Sequence, residues 1–345
     1  MKSSPPYSGC RFDYKFHKTV LCALTLLSQS FSSPIHPTDV AELTRDADVI
    51  VVARATKVSS QGKGGLALAN GTVPAERYVA QLKIDRVLKG KVDEPLLSVQ
   101  FFLPDALVGM RGVVEGEYAV FFLKSAATGF IFLDPVRPSL PAIPDSVSPS
   151  GDTLDQVTTA LAQVLNSSGS SKSEFAVALD ALARLNTPLA GQKLRDELSN
   201  PDPDRSLRIA ITLVGRSDIG GLDKVENALR SPDAVSPELV QDAAGCLAGM
   251  KDPKAIPSLS RLLTLNNPEI NRGVAVALRQ TGSTSALPPL SKLLNDRNPM
   301  TRYYAVIGFG EITHRDDWAP AFPEFQQNPA RYVSYWQTWA EKNLH

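Results

Sequence analysis

Gly273-Val274-Ala275-Val276-Ala277-Leu278 follows Asp242-Ala243-Ala244-Gly245-Cys246-Leu247 by 31 residues and precedes Tyr304-Ala305-Val306-Ile307-Gly308-Phe309 by another 31. Each hexapeptide ends on a large apolar side chain with a small residue before it. Carried outward, this register predicts a ladder at Leu182, Leu213, Leu247, Leu278, Phe309 and Trp339, in steps of 31, 34, 31, 31 and 30. An interval held that steadily marks a stack of similar units, each of which buries its apolar side only against its neighbours. The residues one place ahead, Ala181, Thr212, Cys246, Ala277 and Gly308, are small enough to let an adjacent helix approach. The single long step predicts a lengthened turn within Ser231 to Pro237.

A second helix follows each ladder helix. Ala255-Ile256-Pro257-Ser258-Leu259-Ser260-Arg261-Leu262-Leu263 returns as Ala286-Leu287-Pro288-Pro289-Leu290-Ser291-Lys292-Leu293-Leu294, with proline in the first turn, where its missing N–H costs no intrahelical bond. Apolar positions at three- and four-residue steps give this helix one buried face. Asn200-Pro201, Ser231-Pro232, Asn267-Pro268, Asn298-Pro299 and Asn328-Pro329 mark breaks between units, because the residue before proline is driven out of helical geometry and Asn and Ser suit turns and caps. Ile270-Asn271-Arg272 ahead of Ala277-Leu278, and Thr301-Arg302-Tyr303-Tyr304-Ala305-Val306 ahead of Phe309-Gly310-Glu311-Ile312, make the segment from about 173 to 320 resemble short HEAT repeats of the kind found in bilin lyases. The resemblance implies an α-solenoid over 152–345. It says little about activity, because the repeat serves scaffolds, inhibitors and enzymes alike.

Residues 38–135 have a different period. Ala47 to Ala55 is a β-branched run, and Tyr78, Ala80, Leu82 and Ile84 alternate with more polar neighbours, as in a half-buried strand. Leu96 to Leu103, Glu117 to Lys124 and Phe130 to Leu133 bring the predicted strands to five. Gly62-Lys63-Gly64-Gly65 and Asn70-Gly71 predict a long loop between the first two, and a short helix is predicted near Thr38 to Arg45. Ala47-Asp48-Val49-Ile50-Val51-Val52-Ala53, Lys83 to Gly90 and Gly116 to Leu123 resemble an exported bacterial domain of the five-stranded OB type, related to netrin and metalloproteinase-inhibitor barrels. The inhibitors of that superfamily use an N-terminal cysteine and a disulfide framework, neither of which is expected in the mature chain, so protease inhibition by metal chelation is not implied. The expected fold is therefore α+β and multidomain, with an OB-like barrel at 34–135, a Pro- and Ser-rich linker at 136–151 and the helical stack at 152–345.

Thirty-six basic against 36 acidic residues leave no net charge to draw the chain towards nucleic acid or anionic membrane. Ala47 to Pro135 carries ten basic and nine acidic residues, and its Phe101, Phe102, Phe121, Phe122, Phe130 and Phe132 fall in predicted strands as core, without the basic interleaving of a stacking platform. Lys2, Arg11, Lys15 and Lys18 precede an apolar run from Thr19 to Leu27 and then Ser28 to Ser33, which reads as an export signal at 1–33 and an extracytoplasmic mature chain. That run is too short to span a bilayer. Cys10 and Cys22 are poorly placed for lipid attachment, and removal of the signal leaves one cysteine, Cys246, expected to be a buried thiol.

Catalytic motifs are missing. There is no His-Glu-x-x-His, no phosphate-binding glycine loop and no Gly-x-Ser-x-Gly. His36, His314, His345 and Cys246 are not at metal-ligand spacing, and Asp316-Asp317 beside His314 falls in a predicted turn. No cofactor and no metal are expected. The expectation is a non-enzymatic scaffold for a protein partner, with Arg261, Arg272, Arg279, Lys292, Arg302, Tyr303 and Tyr304 as a basic, aromatic surface for an acidic segment. Trp336, in the stripe Tyr332, Tyr335, Trp336 and Trp339, is either a partner anchor or the closing cap of the stack. The alternatives are an envelope- or carbohydrate-binding module through the barrel and, from the HEAT resemblance, a bilin-lyase-like enzyme or assembly factor.

Overall fold

The computed structural model describes residues 39–68, 71–104, 112–127, 129–135, 137–144 and 151–344. The export signal read at 1–33, together with His36 and His345, lies outside them. The chain divides into two compact units that meet in sequence at Ser139 and Leu140.

In the first unit, α1 (Val40–Asp46) starts at Asp39, whose carboxylate accepts from the Ala41 N–H at 3.0 Å. The strands are β1 (Val49–Leu68), β2 (Gly71–Lys89), β3 (Leu96–Pro104), β4 (Tyr118–Ala126), β5 (Gly129–Phe132) and β6 (Ser139–Pro141). β1 runs antiparallel to β2 and β2 to β3; β3 is parallel to β5, β5 antiparallel to β4, and β4 antiparallel to β1. The pairing thus forms a circuit that returns to its first strand. Alternate residues supply one apolar cluster: Val49, Val51, Ala53 and Ala55 from β1, Ala80 and Leu82 from β2, Leu97, Val99 and Phe101 from β3, Ala119, Phe121 and Leu123 from β4. That is the two-residue period of a strand with one face inward. Phe132 packs on both Phe101 and Phe121, with ring centroids 5.6 and 5.8 Å apart. Ile50, Val52, Val120 and Phe122 are buried too, which is why Val49 to Val52 reads as an unbroken β-branched run.

Two expectations are corrected here. The glycines at 62–65 and Asn70-Gly71 do not frame a loop, because β1 and β2 stay paired from Ile50 opposite Lys89 out to Leu68 opposite Gly71. An irregularity between Ser60 and Lys63 takes up Gly62 at φ 88°, a left-handed geometry that costs glycine little. The described strands number six, and the extra one, β6 beside β4, occupies part of the stretch read as a linker. Three residues are too few for a period to show in the sequence.

The second unit is helical. After α2 (Thr153–Asn166) the helices follow in pairs along the chain: α3 (Lys172–Arg184) and α4 (Pro188–Asp196), α5 (Pro203–Gly215) and α6 (Leu222–Arg230), α7 (Pro237–Cys246) and α8 (Ile256–Leu262), α9 (Pro268–Gln280) and α10 (Leu287–Leu293), α11 (Pro299–Thr313) and α12 (Phe322–Gln327), then α13 (Pro329–Asn343). Each first helix of a pair packs on the next first helix, from α3 through α5, α7, α9 and α11 to α13. Six helices begin with the same device, a capping side chain followed by proline at the first helical position: Thr187, Asp202, Ser236, Asn267, Asn298 and Asn328 accept from backbone N–H groups of α4, α5, α7, α9, α11 and α13. The predicted breaks at Asn267, Asn298 and Asn328 are these caps. At the other two, the caps are Asp202 and Ser236, further along the chain. The stretch Ser231 to Pro237 does lengthen the turn, by an extra 3-10 turn at Pro232–Ala234.

Leu182, Leu213, Leu247, Leu278 and Phe309 are all fully buried. The last step of the ladder is corrected: Trp339 is half-buried, and Trp336, one helical turn earlier, is the core residue. Its ring stacks on Phe309 with centroids 5.2 Å apart, and its indole N–H donates to the Trp318 carbonyl at 3.0 Å. Spacing alone could not choose between two tryptophans on one helix; the partly buried Trp318 carbonyl, which takes an indole N–H, does. Where α9 crosses α7, a Cβ on Gly273 would stand 2.8 Å from the Ala244 carbonyl oxygen, so only glycine permits that approach. Replacing Trp336 with Ala removes the largest buried side chain of the closing helix and leaves the Trp318 carbonyl without its donor. Denaturant unfolding of that variant should show a loss of about 3–5 kcal/mol, and a loss below about 1 kcal/mol would contradict this packing.

Candidate functional site

The arginines expected to form a basic surface are mostly engaged within the helical unit. Arg261 on α8 donates through Nε and Nη2 to the Glu226 carboxylate on α6, at 2.9 and 2.7 Å. Glu226 also receives Arg230, at 3.1 Å, and its side chain is only 8% exposed. Arg279 on α9 makes a two-pronged pair with Glu311 on α11, at 2.6 and 2.7 Å. Arg272 is paired with Glu269 within α9, and Arg302 donates to the carbonyls of Asp296 and Arg297 at 2.8 and 3.2 Å. The same use extends to arginines outside the expected surface. Arg216 donates to the Leu182, Ala183 and Leu185 carbonyls at 2.7, 2.7 and 2.9 Å, meeting the unpaired carbonyls and negative dipole end of α3.

Two of the expected residues meet at one feature, a cavity of about 1160 Å³ lined mainly from α5, α7, α9 and α11, with Leu229 of α6. Ile211, Val240, Ala244, Ala248, Val276 and Tyr304 supply its apolar lining, and Asp242, Glu269 and Arg272 its charges. The space exists because Ala244, Gly245, Ala248 and Gly273 are short where the longer neighbours are not. Tyr303 is taken up elsewhere, against Phe322 and Phe325 at 5.0 and 5.4 Å, and burial raises its hydroxyl pKa. Trp336 has no exposed surface, so it serves the core and offers no anchor to a partner.

The Cys246 thiol is half-buried and donates to the Ala243 carbonyl at 3.1 Å. Burial, reinforced by Asp242, pushes its pKa up to about 12, so it stays protonated and unreactive at neutral pH. Asp316 and Asp317 are exposed in a 3-10 turn beside His314, which closes α11 in a left-handed conformation. Among the described residues no three metal-ligating side chains converge, and no helix is long and apolar enough to cross a membrane.

Two things were missed in the sequence. Glu226 sits at a buried helical position amid Val225, Ala228 and Leu229, and the signal was its distance of 35 residues from Arg261, about one repeat. Val276 of the groove was visible only as the counterpart of Gly245 in the overlaid hexapeptides.

A family model described as HEAT repeats matches residues 222–310, the stretch from α6 into α11. This helical repeat region is thus similar to HEAT repeats over about a quarter of the chain. No curated protein matches the chain. Among solved structures, human deoxyhypusine hydroxylase in complex with glycerol is similar at 15% identity over 54% of this chain and 95% of that one, with a TM-score of 0.25, too low to bear on chemistry.

The hydrogen bonds from Arg261 and Arg230 hold the Glu226 carboxyl below its ordinary 4.5. A carboxyl depressed in the folded state adds stability above its unfolded pKa, and that stability is lost as pH falls through the lower folded pKa. Glu226→Gln should therefore cost about 1–3 kcal/mol at pH 7, with the gap to the native chain shrinking once pH drops below about 4.5. Thermal melts at pH 7 and about pH 3 measure this; an equal gap at both would show that charge is not the cause.

Proposed function

We propose that this protein is a non-enzymatic, extracytoplasmic scaffold that holds a protein partner in the groove across α5, α7, α9 and α11. The observation that carries the reading is the groove itself, an apolar cavity of about 1160 Å³ with charges at Asp242, Glu269 and Arg272. Three of its four walls come from helices within or overlapping the stretch that matches HEAT repeats, and an apolar channel along stacked helices suits a segment laid in by its own apolar face. The reading takes the helical unit as an α-solenoid, supported by the unbroken succession of first helices from α3 to α13. It takes the first unit as an OB-like barrel, supported by the circuit β1-β2-β3-β5-β4-β1 with its parallel β3–β5 pair. Export rests on the basic and apolar stretches before residue 34.

The test is affinity capture from an envelope extract with the full chain, native and Val276→Glu. Val276 is half-buried in the groove wall, so a carboxylate there should abolish retention of the partner while leaving the melting temperature within a few degrees. Equal retention by both proteins, or no retained protein at all with the native chain, would overturn the proposal.

A further inference from the structure

A second cavity, of about 790 Å³, lies at the turns that follow α8 and α10, against the start of α9. We propose that it binds a carboxylate side chain of an acidic peptide segment, with the peptide backbone donating to Asn271. The choice of a peptide over another acidic ligand rests on the scaffold reading above; the charge and hydrogen-bond argument stands on the cavity alone.

Lys292 and Arg297 both line this cavity and both are exposed. Among the described residues neither side chain has a hydrogen-bond or ion-pair partner, in contrast to the side chains of Arg261, Arg272, Arg279 and Arg302, which are all committed to carboxylates or carbonyls. The carboxylate that shares the lining, Asp296, is already satisfied: it accepts from the Asn271 side-chain amide at 2.7 Å and from the Asn298 backbone N–H at 2.7 Å. Two uncommitted cations against one carboxylate leave the lining with an excess of one positive charge, and the acceptor sites of that carboxylate are already occupied by neutral donors, so the cavity favours an anion.

The wall supplies a second requirement. The Asn271 side-chain oxygen is buried with no hydrogen-bond partner, and a buried acceptor in that state is destabilising until a donor reaches it. Its amide nitrogen is held by Asp296, so the oxygen is fixed as an acceptor. A ligand that answers both requirements carries a negative group and an N–H or O–H donor close to it. An acidic residue in a peptide has both, in its carboxylate and its backbone amide. Asn295 adds a free amide donor, since its oxygen already accepts from Gln337 at 2.7 Å.

Isothermal titration of the full native chain with acetylated hexaglutamate tests this, with acetylated hexaglutamine as the neutral match. The expected result is saturable binding of hexaglutamate only, weakened by raised salt and at least tenfold weaker in the double variant Lys292→Ala/Arg297→Ala. Both side chains are exposed, so the variant should melt with the native chain. Lys224→Ala, which removes an exposed lysine on α6, should bind as the native protein does, and so should Val276→Glu, which separates this cavity from the groove. Equal binding of hexaglutamine, undiminished binding by the double variant, or equal loss in Lys224→Ala would overturn the proposal. Tighter binding of trigalacturonate than of hexaglutamate would overturn the peptide assignment in favour of an acidic sugar.

Discussion

The helical unit depends on a guanidinium group of one repeat bonded to a carbonyl or carboxylate of its neighbour. Arg205 reaches Ser170, 35 residues back, and Arg216 reaches Leu182, 34 back; Arg261 reaches Glu226, 35 back, and Arg279 reaches Glu311, 32 ahead. The sequence separations of these bonds are each close to one repeat of the ladder. Apolar stacking between helices has no strong directional preference, whereas a planar fork with five donors fits its acceptor in few orientations. The arginines thereby fix how each pair of helices is rotated on the last, and they satisfy helix-end carbonyls that the chain would otherwise bury unpaired.

That division of labour explains where free surface remains. Charges that hold repeats together are unavailable to a partner, so the groove gets its character from short side chains, Ala244, Gly245 and Gly273, and from the few apolar residues left around them. The first unit follows a different rule. There the inward residues of β1 to β4 alternate strictly, and the pairing of β1 with both β2 and β4 leaves the circuit complete.

The period of the second half, its caps and its long step were legible because each depends on local chemistry: proline after a capping residue, and a large apolar side chain at a fixed interval. The roles of individual charges were not. Arg261 and Arg279 read as surface because the sequence places no acid beside them; their partners, Glu226 and Glu311, lie a full repeat away and come near only on stacking. Lys292 looks the same in the sequence as Arg261, yet one is uncommitted and the other is clasped. The hairpin of β1 and β2 was obscured for a related reason. Glycines at 62, 64 and 65 signal irregular backbone, but cross-strand pairing to Ala75 and Pro74 overrides a local preference that the sequence shows without its partner.

The burial of Trp336 has a consequence for how long the stack can grow. Any pile of repeats presents, at its open end, the same apolar surface that joins one unit to the next, and a second molecule could add there head to tail without limit. In α13 the aromatic face turns inward onto Phe309, while Arg331, Ser334, Thr338, Glu341 and Lys342 are left exposed. The outward side of α13 is thus one that water solvates, unlike the apolar surface by which α11 meets α9.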